Sequence, residues 1–431
     1  MTSSYNATCE WLFTQLPMFQ RVGASAYKPG LDTARQLAQM FGNPHTKMPT
    51  IHIAGTNGKG STSSTLAAIL TAAGLRTGLY TSPHLVDFRE RIRIDGRMIP
   101  EDAVIDFVER YRREAPDGLH PSFFELATIM AFDYFASEHV DVAVIETGLG
   151  GRLDTTNIIT PDLAVITNIS LDHTALLGNT RQQIASEKAG IIKPGVPVVI
   201  GESDDEVGPV FEAAAAKAGA PIIFAEEHAP IVGCTDDGEA MIYRTTTHGQ
   251  LRGQLRGECQ RINAATILTA VDMLNGSCHY HLSDEAIARG LGNVQELSGL
   301  TGRWTKVAEN PTVICDTGHN IGGWEHIVND LNATVGPKVI VVGFVNDKDV
   351  TAILRALTRV RDARLIFTQA SVERALDATE LCRRAAAEGL EGTAVANVKA
   401  AVSEAVEIAR QTGATVFVGG SNFVVGDFLR N

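Results

Sequence analysis

Residues 51–62 read Ile51-His52-Ile53-Ala54-Gly55-Thr56-Asn57-Gly58-Lys59-Gly60-Ser61-Thr62. A short apolar run is followed by a glycine-rich turn, one lysine and two hydroxyl side chains. This order predicts a strand, a phosphate-binding loop and the first turn of a helix, in which backbone N–H groups surround a polyphosphate and Lys59 reaches its outer oxygens. The stretch departs from the general P-loop pattern at Ile53, where glycine is usual, and at Gly60, which separates Lys59 from Ser61. The alternative is a tight turn whose glycines only permit positive φ.

The chain around this stretch alternates strand-like apolar runs with helical periodicity. This alternation is typical of an α/β fold with a parallel sheet and crossover helices. Residues 91–99, which alternate around Asp95-Gly96, predict a hairpin, and residues 229–256 predict a small antiparallel meander. The predicted strands are 51–54, 77–80, 140–145, 163–167 and 196–200, and the predicted helices are 60–73, 101–114, 123–137, 180–189 and 205–218.

A second alternation follows helices predicted at 258–274 and 283–292 and a polar, glycine-containing linker predicted at 296–302. A chain of 431 residues is long enough for two domains, each with its own core. We therefore divide it into an α/β domain of residues 1–298 and a smaller α/β domain of residues 299–431. The strands predicted in the second domain are 312–315, 338–342, 364–368, 394–396 and 415–418, separated by four helices.

Composition excludes several classes of protein. The 37 basic and 50 acidic residues give a net charge of −13, which repels a polyanion, so we expect no nucleic-acid partner. No run approaches the ~20 apolar residues that span a bilayer, and the first residues carry no basic leader, so we expect a cytoplasmic protein that does not bind membranes. The six cysteines show no Cys-x-x-Cys spacing, which favours reduced thiols over a disulfide framework or a zinc site.

Glu146 ends an apolar strand, where P-loop proteins place an acidic residue that holds Mg²⁺. A solvent-facing carboxylate is the alternative. The glycine-rich residues 147–154 that follow predict a mobile loop over a site. A dinucleotide-binding turn is disfavoured because the third glycine is missing and no helix clearly follows.

Asp172 and His173 come after the predicted strand 163–167, at the edge of the sheet where α/β proteins bind ligands. A lone histidine is often structural, but Lys59 and Glu146 are expected at the same edge. Glu187-Lys188 ends a predicted helix, and on the physics of the sequence alone this pair is expected to be solvated.

Five ordered motifs resemble those of the folylpolyglutamate synthase and dihydrofolate synthase branch of the Mur ligase superfamily. The resemblance extends from about residue 20 to the C-terminus. It implies a P-loop ATPase domain followed by a smaller Rossmann-like domain, an ATP-dependent amide ligase and a monomer. The motifs are GTNGKGS at 55–61, YTSPHL at 80–85, ETGLGGRLD at 146–154, DH at 172–173 and EKAGI at 187–191.

The same resemblance implies two Mg²⁺ ions. Ser82 and Glu146 would bind one of them together with the ATP phosphates, and Glu146, His173 and Lys188 would hold the other. In this family the lysine that matches Lys188 is carbamylated, because CO₂ adds to a neutral amine and gives a carboxylate that reaches a metal. Lys59, His173 and Lys188 are therefore the implied catalytic residues.

The remaining implied contacts are with ATP and glutamate. Asn263 matches a position that touches adenine, and Arg303 and Asp316 match second-domain groups that act on ATP. His319 and Ser421 match groups that act on the amino acid. The phosphate-binding residues are Gly55, Thr56, Asn57, Gly58, Lys59, Gly60, Ser61 and Thr62.

The chain departs from the family in two stretches. Thr317-Gly318 replaces a stretch that usually contains alanine, and Ile321 stands where proline is usual, so the backbone after Asn320 is expected to differ. Phe423 stands where tyrosine is frequent, which removes a hydroxyl near the implied glutamate site.

The implied reaction joins L-glutamate to dihydropteroate or to a reduced folate through an acyl phosphate, with no organic redox cofactor. We expect the pterin to lie near Phe124, Asp154 and Thr155, with Phe124 stacking on its ring and Asp154 accepting from its amino group. Plain helix core is the alternative for Phe124. Residues 21–31 are expected to form a flap above this pocket.

Two other functions remain open. One is a cell-wall ligase of the same superfamily, which the Lys59-Gly60-Ser61 sequence and the lack of a UDP-binding domain before Ile51 disfavour. The other is a nucleotide-binding switch without ligase chemistry, which the second α/β domain with Asp316 and His319 disfavours.

Overall fold

The computed structural model describes residues 4–17, 30–278, 280–346 and 350–430. These residues form two compact units. The first runs up to Pro83 and includes Phe88–Gln254 and Arg261–Leu300, and the second comprises His84–Asp87, Leu255–Gln260 and the chain from Thr301 onward. A single division of the chain near residue 298 does not describe the two short segments that cluster with the second unit.

The first unit contains an eight-stranded sheet of order β4-β3-β2-β5-β1-β6-β7-β8. The six strands from β2 to β8 along this order are parallel, which confirms the predicted parallel sheet. Strand β1 lies between β5 and β6, so the carboxyl ends of these three strands meet at one edge. The strands are β1 Thr50–Ala54, β2 Thr77–Tyr80, β3 Ile92–Ile94, β4 Arg97–Met98, β5 Val142–Glu146, β6 Leu163–Ile166, β7 Val198–Ile200 and β8 Ile222–Phe224.

Helices pack against this sheet and bury every residue of β1, β5 and β6. Short 3₁₀ helices span Pro44–Thr46, Phe88–Arg91 and Thr155–Ile158. The α-helices of this unit are α1 Tyr5–Gln15, α2 Asp32–Met40, α3 Lys59–Ala72, α4 Glu101–Glu114, α5 Phe123–Ser137, α6 Thr174–Leu177, α7 Arg181–Ala189, α8 Gly208–Ala218, α9 Ala225–His228, α10 Cys259–Ser277, α11 Asp284–Gly292 and α12 Val294–Ser298; the first residues of α10 cluster with the second unit.

The predicted hairpin and meander are both confirmed. Strands β3 and β4 pair antiparallel across Asp95 and Gly96, whose φ angles of 49° and 75° are those that a two-residue hairpin turn requires. The meander is a three-stranded antiparallel sheet of β9 Ile231–Asp236, β10 Met241–Thr245 and β11 Gln250–Gly253.

The second unit contains a six-stranded sheet of order β12-β13-β17-β14-β15-β16, parallel except for β12. The four predicted helices between strands are present. The strands are β12 Thr305–Glu309, β13 Thr312–Asp316, β14 Lys338–Val342, β15 Ala363–Thr368, β16 Gly392–Val395 and β17 Thr415–Gly419, and the helices are α13 Ile321–Ala333, α14 Val350–Leu357, α15 Ala378–Ala387, α16 Val398–Thr412 and α17 Asn422–Leu429.

The predicted linker is only partly correct. Its first residues belong to α12, because the Ser298 hydroxyl donates to Val294 O at 2.7 Å and the side chain of Arg93 donates to Ser298 O at 3.0 Å. Gly299, with φ 73°, ends this helix. Most of the predicted flap, residues 21–29, lies outside the described residues.

All six cysteines are free. In the part of the chain that the structure describes, no helix has the length and apolar character needed to cross a bilayer.

Candidate active site

The phosphate loop, residues 55–62, connects β1 to the first turn of α3. Gly58 has φ +83° and caps the helix, and a Cβ added there would lie 2.4 Å from Asn263 Oδ1. A side chain at this position would therefore meet both an unfavourable backbone conformation and a steric clash. The predicted strand, turn and helix are confirmed, and the predicted adenine contact Asn263 lies against the loop.

Residues that follow β6 hold the phosphate loop in place. Asn57 N donates to Asn168 Oδ1 at 2.8 Å, and the Thr167 hydroxyl donates to Asn57 O at 2.5 Å. Thr56 also donates from its backbone N–H to Asn168 O at 2.9 Å. Thr167 was not predicted as a site residue, although its place at the end of a strand beside β1 is the signal that could have indicated it.

Lys59 folds back over the phosphate loop. Its Nζ donates to Gly55 O at 2.9 Å and to Thr56 O at 3.1 Å. These carbonyl oxygens hold the ammonium group at the entrance to helix α3, where backbone N–H groups favour an anion. Lysine and helix N-terminus together therefore form a site of positive potential that suits a polyphosphate.

Lys188 reaches the same carbonyl oxygen from helix α7. Its Nζ donates to Gly55 O at 2.8 Å, and the residue is 3% exposed. Burial, with a further contribution from the nearby Lys59 charge, lowers the pKa of Lys188 to about 7, although Asp172 and Asp154 act in the opposite direction. The expectation of a solvated Glu187-Lys188 pair is wrong for the lysine, whereas Glu187 does form an ion pair with Arg152 at 2.8 Å.

Glu146 is the last residue of β5 and is 3% exposed, so the alternative of a solvent-facing carboxylate is wrong. Its Oε2 accepts a hydrogen bond from Ser82 N at 3.1 Å, which brings two of the implied metal ligands together. In the register of the sheet, Glu146 lies beside Ile53 of β1. The acidic residue and the phosphate loop thus share one edge of the sheet.

His173 lies at the start of the short helix α6. It adopts a positive φ of 50°, and its Nε2 lies 3.9 Å from Asp172 Oδ1. Its side chain is 28% exposed. Among the described residues, no three His, Cys, Asp or Glu side chains are grouped so that they could hold a metal ion.

The glycine-rich loop, residues 147–154, is closely packed. A Cβ added to Gly148 would lie 2.4 Å from Phe124 Cζ, and one added to Gly151 would lie 2.8 Å from Glu187 O. Asn157 Nδ2 bridges Arg152 O at 3.1 Å and Gly190 O at 3.0 Å. These contacts do not favour the predicted mobility, because the glycines allow the backbone to approach its neighbours too closely for a loose loop.

The three residues predicted to bind folate lie around this loop. Phe124 is partly exposed in the first turn of α5, unlike its neighbour Phe123, which is 3% exposed core. Asp154 is buried and begins the 3₁₀ helix that contains Thr155, also buried. Asp154 Oδ1 accepts from the backbone and the hydroxyl of Thr156, and Oδ2 accepts from Leu149 N at 2.8 Å, so both carboxylate oxygens already have donors within the protein.

The implied residues of the second unit cluster at the end of β13. Asp316 accepts from Trp304 N at 2.8 Å and from Gly318 N at 2.7 Å. Burial raises the pKa of Asp316, and the nearby Arg303 charge acts in the opposite direction. His319 Nδ1 lies 3.1 Å from Thr317 O, which identifies it as the protonated ring nitrogen.

One departure from the family pattern, Ile321, lies at the start of a helix. Asn320 caps α13 by accepting from Gly323 N at 2.9 Å, so Ile321 occupies the first helical position, where proline is also favoured. Ser421 is 3% exposed and caps α17 by accepting from Val424 N at 3.2 Å. Its hydroxyl thus has a structural role beside the predicted contact with glutamate.

Comparison with known proteins agrees with this geometry. The family model for the Mur ligase middle domain matches residues 53–270, and that for the Mur ligase glutamate ligase domain matches residues 302–422. The dihydrofolate synthase/folylpolyglutamate synthase of Bacillus subtilis is 33% identical over 453 aligned positions, which cover 100% of this chain and 99% of that protein.

Two solved structures resemble the chain over nearly its whole length. Escherichia coli FolC in complex with DHPP and ADP superposes with a TM-score of 0.84 at 31% identity, over 99% of this chain and 97% of that one. The bifunctional folylpolyglutamate synthase/dihydrofolate synthase of Yersinia pestis, complexed with AMPPNP and a Mn ion, gives a TM-score of 0.82 at 31% identity, over 99% and 98%.

The fold, the phosphate loop and these matches define an ATP-dependent ligase of the Mur type. Within that superfamily, the chain belongs to the folylpolyglutamate synthase/dihydrofolate synthase family.

Proposed function

We propose that the protein joins L-glutamate to dihydropteroate, to a reduced folate, or to both, with release of ADP and phosphate. The observation that carries this proposal is the convergence of Lys59 and Lys188 on the carbonyl oxygen of Gly55, at the same sheet edge as the buried Glu146. A bare nucleotide-binding switch needs the first lysine but has no evident use for a buried second amine. The relatives that match the whole chain carry the same activity in their names.

The chemistry requires an activated carboxylate, because an amine does not displace hydroxide from a carboxylate at neutral pH. Transfer of the γ-phosphoryl group of ATP to the substrate carboxylate gives an acyl phosphate and ADP. The α-amine of glutamate then attacks the acyl carbon, and phosphate leaves. Lys59 and the N–H groups of the phosphate loop would offset the charge on the phosphoryl oxygens during transfer.

Two Mg²⁺ ions are part of the proposal. Glu146 and Ser82 offer oxygen atoms to one ion, and Glu146, His173 and Lys188 would hold the other. Lys188 fits only after modification, since an ammonium group cannot bind a cation, and its buried amine with a pKa of about 7 suits reaction with CO₂. Bound Mg²⁺ would neutralise phosphate charge and orient the transferred group.

The other contacts complete the proposal. Phe124, Asp154 and Thr155 would bind the pterin, and Asn263 the adenine. Arg303 and Asp316 would act on ATP, and His319 and Ser421 on glutamate. Water would hydrolyse the acyl phosphate, so we also propose that the groups of the second unit help to exclude it. A monomeric state and a cytoplasmic location belong to the same proposal.

Parallel assays of the purified protein test the function. We expect phosphate release that depends on both glutamate and a pterin substrate, with product mass increased by one glutamyl residue. Dihydropteroate and tetrahydrofolate assayed side by side distinguish a single activity from two. Phosphate release that does not depend on the amino acid would favour the switch, and turnover with a nucleotide-linked muropeptide alone would favour the cell-wall ligase.

Glu146→Gln is expected to raise the Mg²⁺ concentration that supports half-maximal turnover by at least about 100-fold, because the amide keeps the shape of the side chain but loses the charge that holds the metal. Magnesium titration of ATP turnover measures the effect. Glu138→Gln is the matched control, since Glu138 forms an exposed ion pair with Arg76. An unchanged magnesium requirement in Glu146→Gln would show that Glu146 is not a ligand.

A further inference from the structure

Three buried side chains connect the strand of the phosphate loop to the glycine-rich loop. His52, in the middle of β1, and Thr156 are fully buried, and Asp154 is 4% exposed. His52 Nε2 lies 2.8 Å from the Thr156 hydroxyl oxygen, which lies 2.6 Å from Asp154 Oδ1. The contact between His52 and Thr156 joins residues 104 positions apart. Neither His52 nor Thr156 is among the predicted site residues.

The direction of each hydrogen bond in this chain is fixed. Asp154 Oδ1 accepts from Thr156 N at 3.0 Å and from the Thr156 hydroxyl, so that hydroxyl has only lone pairs left for His52. His52 therefore carries its proton on Nε2. Among the described residues, His52 Nδ1 has no hydrogen-bond partner, and burial together with the nearby Lys193 charge lowers the pKa of the ring to about 3, so the ring is neutral.

Asp154, at the other end of this series of hydrogen bonds, holds the glycine-rich loop in its conformation. Asp154 Oδ2 accepts from Leu149 N at 2.8 Å, so the carboxylate ties the start of the loop to its end. Gly148, next to Leu149, lies against the ring of Phe124, where an added Cβ would come within 2.4 Å of Cζ. The position of the loop and the position of that ring are therefore coupled by direct contact.

We propose that His52 is a positioning residue for the pterin substrate. Through Thr156 it fixes Asp154, and through Asp154 it fixes the backbone that packs on Phe124. The proposal rests on the proposed function in one respect, the assignment of Phe124 and its surroundings to the pterin. The hydrogen-bonded series from His52 through Thr156 to Asp154, here called the relay, begins at a residue within β1, whereas the phosphate loop follows the end of that strand. The relay therefore acts on the pterin and not on ATP.

Matched substitutions test the relay. Thr156→Val and His52→Leu remove its hydrogen bonds while keeping apolar volume, and we expect each to raise the KM for the pterin substrate by about ten-fold, the size expected for one buried hydrogen bond. The KM for ATP should change by less than about two-fold. Thr156→Ser and His52→Gln keep a hydroxyl and an N–H donor and should recover most of the loss. The double variant should be no worse than either single one, because both break the same chain.

Hydrogen exchange provides a readout that needs no substrate. The amides of residues 147–153 should exchange faster in Thr156→Val and His52→Leu than in the wild type. Thr269→Val is the control, since it removes a buried hydroxyl that bonds to Ala265 O within helix α10.

The outcomes separate the two proposals. Unchanged exchange, equal rises in the KM for the pterin and for ATP, or additive losses in the double variant would each overturn the relay. A wild-type protein without pterin-dependent turnover, but with the expected exchange, would instead overturn the proposed function and the role of the relay in pterin binding.

Discussion

Replacing Lys59 with alanine is expected to lower ATP-dependent turnover by on the order of 1,000-fold or more while leaving the thermal midpoint close to that of the wild type. The loss follows because the ammonium group would offset charge on the phosphoryl oxygens only during transfer, and alanine offers nothing in its place. The effect on folding is expected to be small because the side chain is part-buried and its Nζ donates to two loop carbonyls, Gly55 O and Thr56 O. Steady-state kinetics and thermal unfolding measure the two quantities.

Lys217→Ala is the matched control for this prediction. Lys217 is exposed near the end of α8, so its loss should change neither turnover nor stability. Near wild-type turnover in Lys59→Ala would contradict the phosphate-loop assignment. A large fall in the thermal midpoint would show instead that Lys59 is needed to hold the loop together.

The fold was largely predictable because its main strands are buried along their whole length. All five residues of β1 and of β5 are buried, so each appears in the sequence as a mainly apolar run. Two of the edge strands leave no such signal. Strand β12, Thr305–Glu309, has no buried residue, and β8, Ile222–Phe224, has only half-buried ones, and neither strand was predicted.

Part of the site was also predictable, because parallel neighbours place their carboxyl ends at the same edge of a sheet. The register of β1 beside β5 and β6 confirms that the phosphate loop, Glu146 and the residues after Ile166 meet there. Residues that act at a distance were not predictable. In the sequence, His52 is an ordinary strand residue and Thr156 an ordinary loop residue. Only the tertiary structure brings His52 Nε2 within 2.8 Å of the Thr156 hydroxyl oxygen.

The state of Lys188 depended on tertiary structure in the same way. Its local sequence, Ser-Glu-Lys-Ala, is that of a solvated helix end, and Glu187 behaves accordingly. Lys188 is buried because the glycine-rich loop packs on the end of its helix: a Cβ at Gly151 would lie 3.0 Å from Lys188 Cα. The role proposed for Lys188 therefore came from the family resemblance and not from its local sequence.

Lys188→Ala is expected to abolish ligase turnover, and Lys188→Arg is expected not to restore it. The proposed carbamate forms from a neutral amine, and the structure shows a buried amine whose pKa lies near 7. Arginine keeps a positive charge at all working pH values and would repel the metal that the carbamate is proposed to bind. A small carboxylic acid at high concentration should restore part of the activity of Lys188→Ala by occupying the vacated position. Full activity in Lys188→Arg would contradict the carbamate.

A stability measurement tests the same lysine without turnover. The amine titrates near 10.5 in the unfolded chain and near 7 in the folded one, so between these pH values the unfolded state binds more protons and the free energy of unfolding rises with pH. In buffer free of CO₂, Lys188→Met should therefore be more stable than the wild type by on the order of a few kcal/mol at pH 6, where most of the buried amine is charged, and this gain should shrink towards pH 10. Added bicarbonate should stabilise the wild type but not Lys188→Met, because only the lysine forms a carbamate. If the stability gain of Lys188→Met did not depend on pH, Lys188 would have an ordinary pKa. If bicarbonate did not stabilise the wild type in the presence of Mg²⁺ and ATP, the carbamate would be excluded.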